Sequence, residues 1–283
     1  MALASRPLCG QILVLFNARS GDEKAPEGRI LYKHDNALID RVDLPAALGL
    51  LTRLPITVDS TRAIDRGAAS AWAYPLVGVV NGVILAAATA LMIWVGLPSA
   101  IIAGMVLTGS VIMNGAMHED GRVDCADGLW GGWDKARRLE IMKDSHIGVY
   151  GVCAIALSLL IRWVALVVIV SLGLYWVAFI AAGAVSRASM VVLMGILPNA
   201  RDGGLSRTVG RPAHRTVWLA VAIGAGFAVL CGHPWVILTA AIAASLCALI
   251  ARAKIGGQTG DILGATQQIT EITVLITIVT MFG

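Results

Sequence analysis

Seven apolar stretches, at residues 73–94, 97–117, 147–170, 174–197, 217–231, 235–251 and 262–282, leave few folds open to this chain. Most reach or approach the roughly 20 residues an α-helix needs to cross the hydrocarbon of a bilayer. With 57% hydrophobic and 14% charged residues and a mean hydropathy of +0.78, a soluble domain of this length is excluded. The expected fold is an all-α polytopic membrane protein of about seven transmembrane helices. Turn signals at Gly96-Leu97-Pro98, Leu172-Gly173 and Gly232-His233-Pro234 pair these helices into hairpins.

Charge placement orients the hairpins. Of the 22 Lys and Arg residues, nine precede the first span, five lie between Arg122 and Lys143, four between Arg201 and Arg215, and two are Arg252 and Lys254. The three tight turns carry none. All basic segments thus fall on one face, which the positive-inside rule assigns to the cytoplasm. Five cysteines, Cys9, Cys125, Cys153, Cys231 and Cys247, show no CxxC spacing and no pairing logic.

Residues 1–43 read as an N-terminal extension of unknown role, whose apolar run Ile12-Leu13-Val14-Leu15-Phe16 is too short to span. From Asp43 to Leu54, Pro45 near the start and Leu48, Leu50, Leu51 and Leu54 suggest a short amphipathic helix in the membrane interface, ended by Pro55; a packed connector fits as well.

One polar stretch interrupts the apolar pattern: Met117-His118-Glu119-Asp120-Gly121-Arg122-Val123-Asp124-Cys125-Ala126-Asp127-Gly128. On a helix Asp120, Asp124 and Asp127, at i, i+4 and i+7, share one face. Three anions on one stripe repel each other, and a hard cation such as Mg²⁺ or Mn²⁺ relieves them; Glu119 is a fourth candidate ligand. His118, Asp124 and Asp127 are the candidate catalytic residues.

Cations lie near. The segment from Trp130 to His146 carries Arg137, Arg138, Lys143 and Asp144, so metal on one side and basic side chains on the other would make a phosphate site. A glycine-rich segment, Gly256-Gly257-Gln258-Thr259-Gly260-Asp261, opens the last span, with Glu271 further along it. Arg162 and Arg187 lie inside spans, roughly 17 and 21 Å from the turn at Gly173 at 1.5 Å per residue. Either they snorkel or they line a polar cavity for an anion. The substrate-binding candidates are therefore Arg138, Lys143, Asp144, Arg162, Arg187, Asp261 and Glu271. A transporter would place ionisable groups near the midplane, often in two similar halves; here the acids gather at one face beside basic loops, which suits an enzyme acting on a phosphate-bearing head.

The motifs LTRLP, HEDGRVDCADG, RRLEIMKDSHIG and GGQTGDILGA, in that order over residues 44–283, resemble those of the cobalamin-5′-phosphate synthase family, the adenosylcobinamide-GDP ribazoletransferases. Two positions depart from its pattern: His146 stands where the family usually has arginine and Gln268 where it often has glutamate. The resemblance implies a single integral-membrane transferase domain in the bacterial cytoplasmic (inner) membrane with its site facing the cytoplasm. It also implies a Mg²⁺-dependent reaction joining α-ribazole or its 5′-phosphate to adenosylcobinamide-GDP, with GMP released. The alternative, a CDP-alcohol phosphotransferase, pairs its first two Asp three residues apart, whereas the spacing here is four and then three. The partners expected are those two substrates and the lipid bilayer, with no nucleic acid; a homo-oligomer stays open.

Overall fold

The computed structural model describes residues 37–282. Residues 1–36, with most of the expected extension and its apolar run, and the terminal Gly283 lie outside the described residues. The described chain is helical apart from one isolated bridge, Asn199 to Gln258. Its helices are α1 (Asp43–Leu51), α2 (Ser60–Arg66), α3 (Tyr74–Trp94), α4 (Ser99–Asn114), α5 (Met117–Gly131), α6 (Lys135–Ile141), α7 (Val149–Ser171), α8 (Tyr175–Ile196), α9 (Leu205–Val209), α10 (His214–Leu230), α11 (Trp235–Ile255) and α12 (Gly260–Phe282), with a 3-10 turn at Gly67–Ala73.

The most buried helix is α8, packed by α3, α10, α11 and α12. Small residues let it sit there. A Cβ on Gly78 of α3 would lie 1.9 Å from the Gly183 carbonyl oxygen of α8, and one on Gly82 would lie 2.7 Å from that of Phe179. The two backbones touch, as close helix pairs in lipid do when glycine removes the side chain between them. The outer helices α7 and α11 instead expose Leu157, Leu160, Val164, Leu238, Ile242 and Leu246, an apolar surface that water would not tolerate but lipid does.

Among the described residues five helices are long and apolar enough to cross a membrane: the one ending at Trp94, α7, α8, α11 and α12. The expected second span is instead broken. Gly115 (φ 61°) and Ala116 (φ 56°) are both left-handed, so α4 and α5 meet at 88° and count as a sixth crossing only if taken together. The break is held by the LTRLP segment, whose Arg53 N–H donates to Met113 O at 2.7 Å. The expected fifth span, α10, has 17 residues, about 25 Å of helix, short of the roughly 30 Å hydrocarbon core. Length and composition therefore support five or six crossings where the sequence suggested seven.

The expected amphipathic helix is α1, and it ends at Leu51, before the expected Pro55. Thr52 is extended and its Oγ1 donates back to Leu48 O at 2.7 Å. Ala46, Ala47 and Leu51 are buried against the 3-10 turn and α3, so neighbouring protein covers this helix. Its first residue, Asp43, is fully buried and accepts from Arg66 Nε and Nη2 and from Trp72 Nε1, each at 2.7 Å. A bidentate guanidinium plus an indole satisfies the carboxylate and fixes where the chain enters the bundle.

The basic segments gather at one end. Lys254 Nζ donates to Leu129 O at 2.9 Å, Arg138 Nη1 to Lys254 O at 2.9 Å, and Gln258 N to Pro198 O at 2.8 Å. The loops after α5, α8 and α11 thus meet, as the hairpin pairing of the sequence requires. At the opposite end the His233 ring packs edge-on against Phe282, centroids 4.9 Å apart.

Candidate active site

The end where the basic loops meet also holds the carboxylates. On α5, Asp120 is exposed and Asp124 half-buried. Opposite lies Asp261 in the first turn of α12. Glycine sets the approach: a Cβ on Gly121 would fall 2.9 Å from the Asp261 carbonyl oxygen, and one on Gly264 would fall 3.3 Å from His118 Cα. Asp124 consequently lies in the negative field of Asp120, Asp261 and Asp127, with Arg201 as the opposing charge.

Arg201 is the residue that sequence reasoning missed. Its Nη2 lies 3.0 Å from Asp261 Oδ2, while its Nη1 is buried without a partner. In sequence it looks like one more surface cation in a basic loop. Its placement depends on the glycine-rich segment some sixty residues away. A Cβ on Gly257 would lie 2.2 Å from Pro198 O, and the bare backbone there lets Gln258 pair with the 198–200 loop: Ala200 N donates to Gln258 O at 2.9 Å and Gln258 Nε2 to Asn199 Oδ1 at 2.6 Å. Thr259 Oγ1 then donates to Asp261 Oδ2 at 3.1 Å and accepts from Ile262 N, capping α12 beside the ion pair.

A cavity of about 160 Å³ opens between these groups, walled by Asp120, His118, Asp261, Arg201, Tyr74 and Ser206. His118 is fully buried and both ring nitrogens lack a partner. Orphaned polar atoms at a cavity wall are a place where a ligand or water completes the hydrogen bonding.

The other sequence candidates sit elsewhere. Asp127 is buried and turned toward α7: its Oδ2 accepts from Gly148 N at 2.8 Å and its Oδ1 from Gly151 N at 2.9 Å, so it caps that helix from another element. Glu119 points away from the aspartates, and its Oε1 accepts from Arg162 Nη1 and from Gln268 Nε2, both at 3.1 Å. Arg162 also reaches Glu271 Oε1 at 2.7 Å. Arg187 donates to Gly183 O and Asn114 Oδ1, both at 3.3 Å, beside a cavity of about 40 Å³. That volume takes only a few waters. All donors of Arg138 that are engaged go to backbone carbonyls, of Gly132, Trp133 and Lys254. Lys143 and Asp144 are exposed in the loop before α7.

The comparisons agree with the motifs. A family model described as cobalamin-5-phosphate synthase matches residues 43–279. The chain belongs to the cobalamin-5-phosphate synthase family. It is 40% identical over 238 residues to a protein of Bradyrhizobium diazoefficiens named adenosylcobinamide-GDP ribazoletransferase, covering 83% of this chain and 92% of that one. A protein of the same name from Mesorhizobium japonicum is 41% identical over 239 residues, covering 83% and 91%. No solved structure matches the chain.

The two departures from the cobalamin-5-phosphate synthase pattern now have surroundings. His146 Nδ1 lies 2.6 Å from Asp144 Oδ1, so a protonated histidine makes the ion pair that arginine would. Asp144 raises the His146 pKa by accepting that hydrogen bond. Gln268 accepts from Arg162 Nη1 at 3.0 Å and donates to Glu119 at 3.1 Å. A glutamate there could accept from Arg162 but would set a third carboxylate beside Glu119 and Glu271, so the amide suits a network of one arginine and two glutamates.

The family resemblance implies a divalent cation. Among the described residues no three Asp, Glu, His or Cys side chains converge to grasp one. The donor chemistry of Asp120, Asp124 and Asp261 nonetheless fits Mg²⁺ or Mn²⁺: hard oxygens in excess over the single arginine that opposes them.

Proposed function

We propose that this chain is an adenosylcobinamide-GDP ribazoletransferase that joins α-ribazole or its 5′-phosphate to adenosylcobinamide-GDP and releases GMP. The observation that carries this reading is the gathering of Asp120, Asp261 and Arg201 around one cavity, with Asp124 in the field of all three. Its support from relatives is the name they share. The bound Mg²⁺ or Mn²⁺ would be held by Asp120, Asp124 and Asp261 and would supply charge neutralisation on the diphosphate.

In this reading the diphosphate lies across the cavity mouth, the bulky ends of both substrates remaining outside on the exposed side of Asp120. Arg201 presents its free Nη1 to a phosphate oxygen while Asp261 fixes its plane, a charge-assisted contact in a partly dry site. The ribazole hydroxyl oxygen bonds to the phosphorus that carries cobinamide, the bond from that phosphorus to the GMP oxygen breaks, and the hydroxyl proton passes to Asp124. Asp124 is suited to this because its neighbours are anionic and it is half-buried. His118, buried in the wall with both ring nitrogens unpartnered, orients an oxygen of the reacting group. Asp127 acts by holding α7 against α5, and Glu119, Gln268, Glu271 and Arg162 by fixing α5 against α12.

The protein then sits in the bacterial inner membrane with this end in the cytoplasm, where nucleotide-activated substrates are available and where basic loops are retained. Purified protein in detergent, given adenosylcobinamide-GDP, α-ribazole 5′-phosphate and Mg²⁺, is expected to release GMP in step with consumption of the ribazole. A folded sample that releases none would contradict the proposal.

A further inference from the structure

On the other face of α5 a second cavity, of about 420 Å³, opens sideways between α5, α7, α11 and α12. Its walls are apolar, Leu129, Ile250, Ile262 and Ile269 among them, and its rim carries exposed Trp130 and Tyr150. One charge stands in it. The Arg122 guanidinium makes a single long contact, Nε to Ala154 O at 3.4 Å, and its Nη1 is buried with no partner. Among the described residues no carboxylate lines the groove to neutralise it, and Arg162 adds to the positive field.

We propose that this groove binds one phospholipid molecule, its phosphate on Arg122 and an acyl chain along Ile250 and Ile269. Three observations favour a lipid. The groove opens between α7, α11 and α12, all of membrane-crossing length, so its mouth faces hydrocarbon. Ala154 lies five residues into α7, about 8 Å below the helix start, near the depth where headgroup gives way to chain. Tyr150, about one turn nearer the helix start, and Trp130 stand at the rim on the headgroup side, where such rings prefer to lie, and Lys254 sits over the Trp130 ring at 4.9 Å as a second cation by the mouth. An unpaired guanidinium against lipid is costly, and a phosphate diester offers both the charge and the acceptors that Nη1 and Nη2 lack. The face of α5 that carries Asp120 and Asp124 is not involved, so the lipid is a structural partner and its binding stands apart from the transferase reading.

Native mass spectrometry of protein released from membranes in a mild detergent tests this. One phospholipid is expected to stay on the parent and on Arg122→Lys, and to fall at least fivefold on Arg122→Gln and on Ala154→Phe, which fills the groove without touching the charge. Thermal unfolding of each variant shows which are folded; should Arg122→Gln fail to fold, Arg122→Lys and Ala154→Phe decide. Retention on Ala154→Phe or folded Arg122→Gln at the parent level, or several lipids lost and kept indifferently by every variant, would overturn the assignment.

Discussion

Arg162 Nη2 lies 2.7 Å from Glu271 Oε1, and the same guanidinium reaches Glu119 Oε1 at 3.1 Å. The Glu119 contact is buried and the Glu271 contact partly so, with the Arg162 side chain 2% exposed. The pair locks α7 to α5 and α12, the two helices that carry the site's carboxylates. Removing one member of such a pair strands the others. Arg162→Ala is therefore expected to lose about 3 to 5 kcal/mol of stability, read as a fall in folded yield and in the unfolding temperature in detergent. Adding Glu271→Gln should restore part of that loss. Unchanged unfolding of the single variant would show that the network carries no load.

Asp127 is predicted to be a helix cap first. Gly148 and Gly151 donate to it, and a Cβ on Gly151 would come within 2.3 Å of its Oδ2. Gly151→Ala should cost about 1 to 3 kcal/mol by overpacking, and Asp127→Ala about 0.5 to 2 kcal/mol by loss of the cap. Unfolding curves check both, and Mn²⁺ titration of Asp127→Asn should find affinity near the parent. A large loss of affinity would return Asp127 to the metal site.

The Asp144–His146 pair predicts a pH response in the loop before α7. His146 is raised from the ordinary histidine range and Asp144 lowered from the ordinary carboxylate range, each chiefly by their shared hydrogen bond. Stability from the histidine is complete below its unfolded pKa and disappears as pH rises through the raised one; that from the aspartate disappears as pH falls through its lowered one. The pair is thus intact in mildly acid solution and lost in alkali. Proteolysis of this loop should quicken as pH rises past neutrality, and His146→Arg should remove the dependence. The same pH response in both proteins would contradict the pairing.

Topology is tested by labelling. Cysteines placed at positions 96 and 173 in intact cells should react with an impermeant reagent, and one at 207 should react only after lysis. Reaction at 207 from outside would overturn the orientation.

How far the sequence reached is seen at particular residues. The hairpins were legible because glycine and proline turns without charge separate long apolar runs, and the Asp120–Asp124 face followed from helical spacing alone. The break at Gly115 and Ala116 was hidden, since a left-handed alanine leaves no local signal and the Arg53 side chain that packs against Gly115 comes from some sixty residues earlier. Glu119 was grouped with the aspartates by adjacency, yet one residue along a helix turns a side chain by about 100°, which hands it to Arg162. The partners of Arg162 lie 43 and 109 residues away, and Arg201 meets Asp261 across 60; such separations leave no local pattern.

The central claim is that phosphate is held by Arg201 at the carboxylate cavity and not by the buried Arg187. Steady-state GMP release by Arg201→Ala and Arg187→Ala, each normalised to folded protein, tests it most directly. Loss of a guanidinium contact to a phosphoryl group costs on the order of 2 to 4 kcal/mol at the transition state, so Arg201→Ala should lower kcat/KM by about 30- to 1,000-fold with unfolding little changed. Arg187→Ala should lower folded yield while the surviving protein keeps a kcat/KM near the parent. The opposite pattern, with Arg187→Ala folded and inactive and Arg201→Ala turning over normally, would contradict the account.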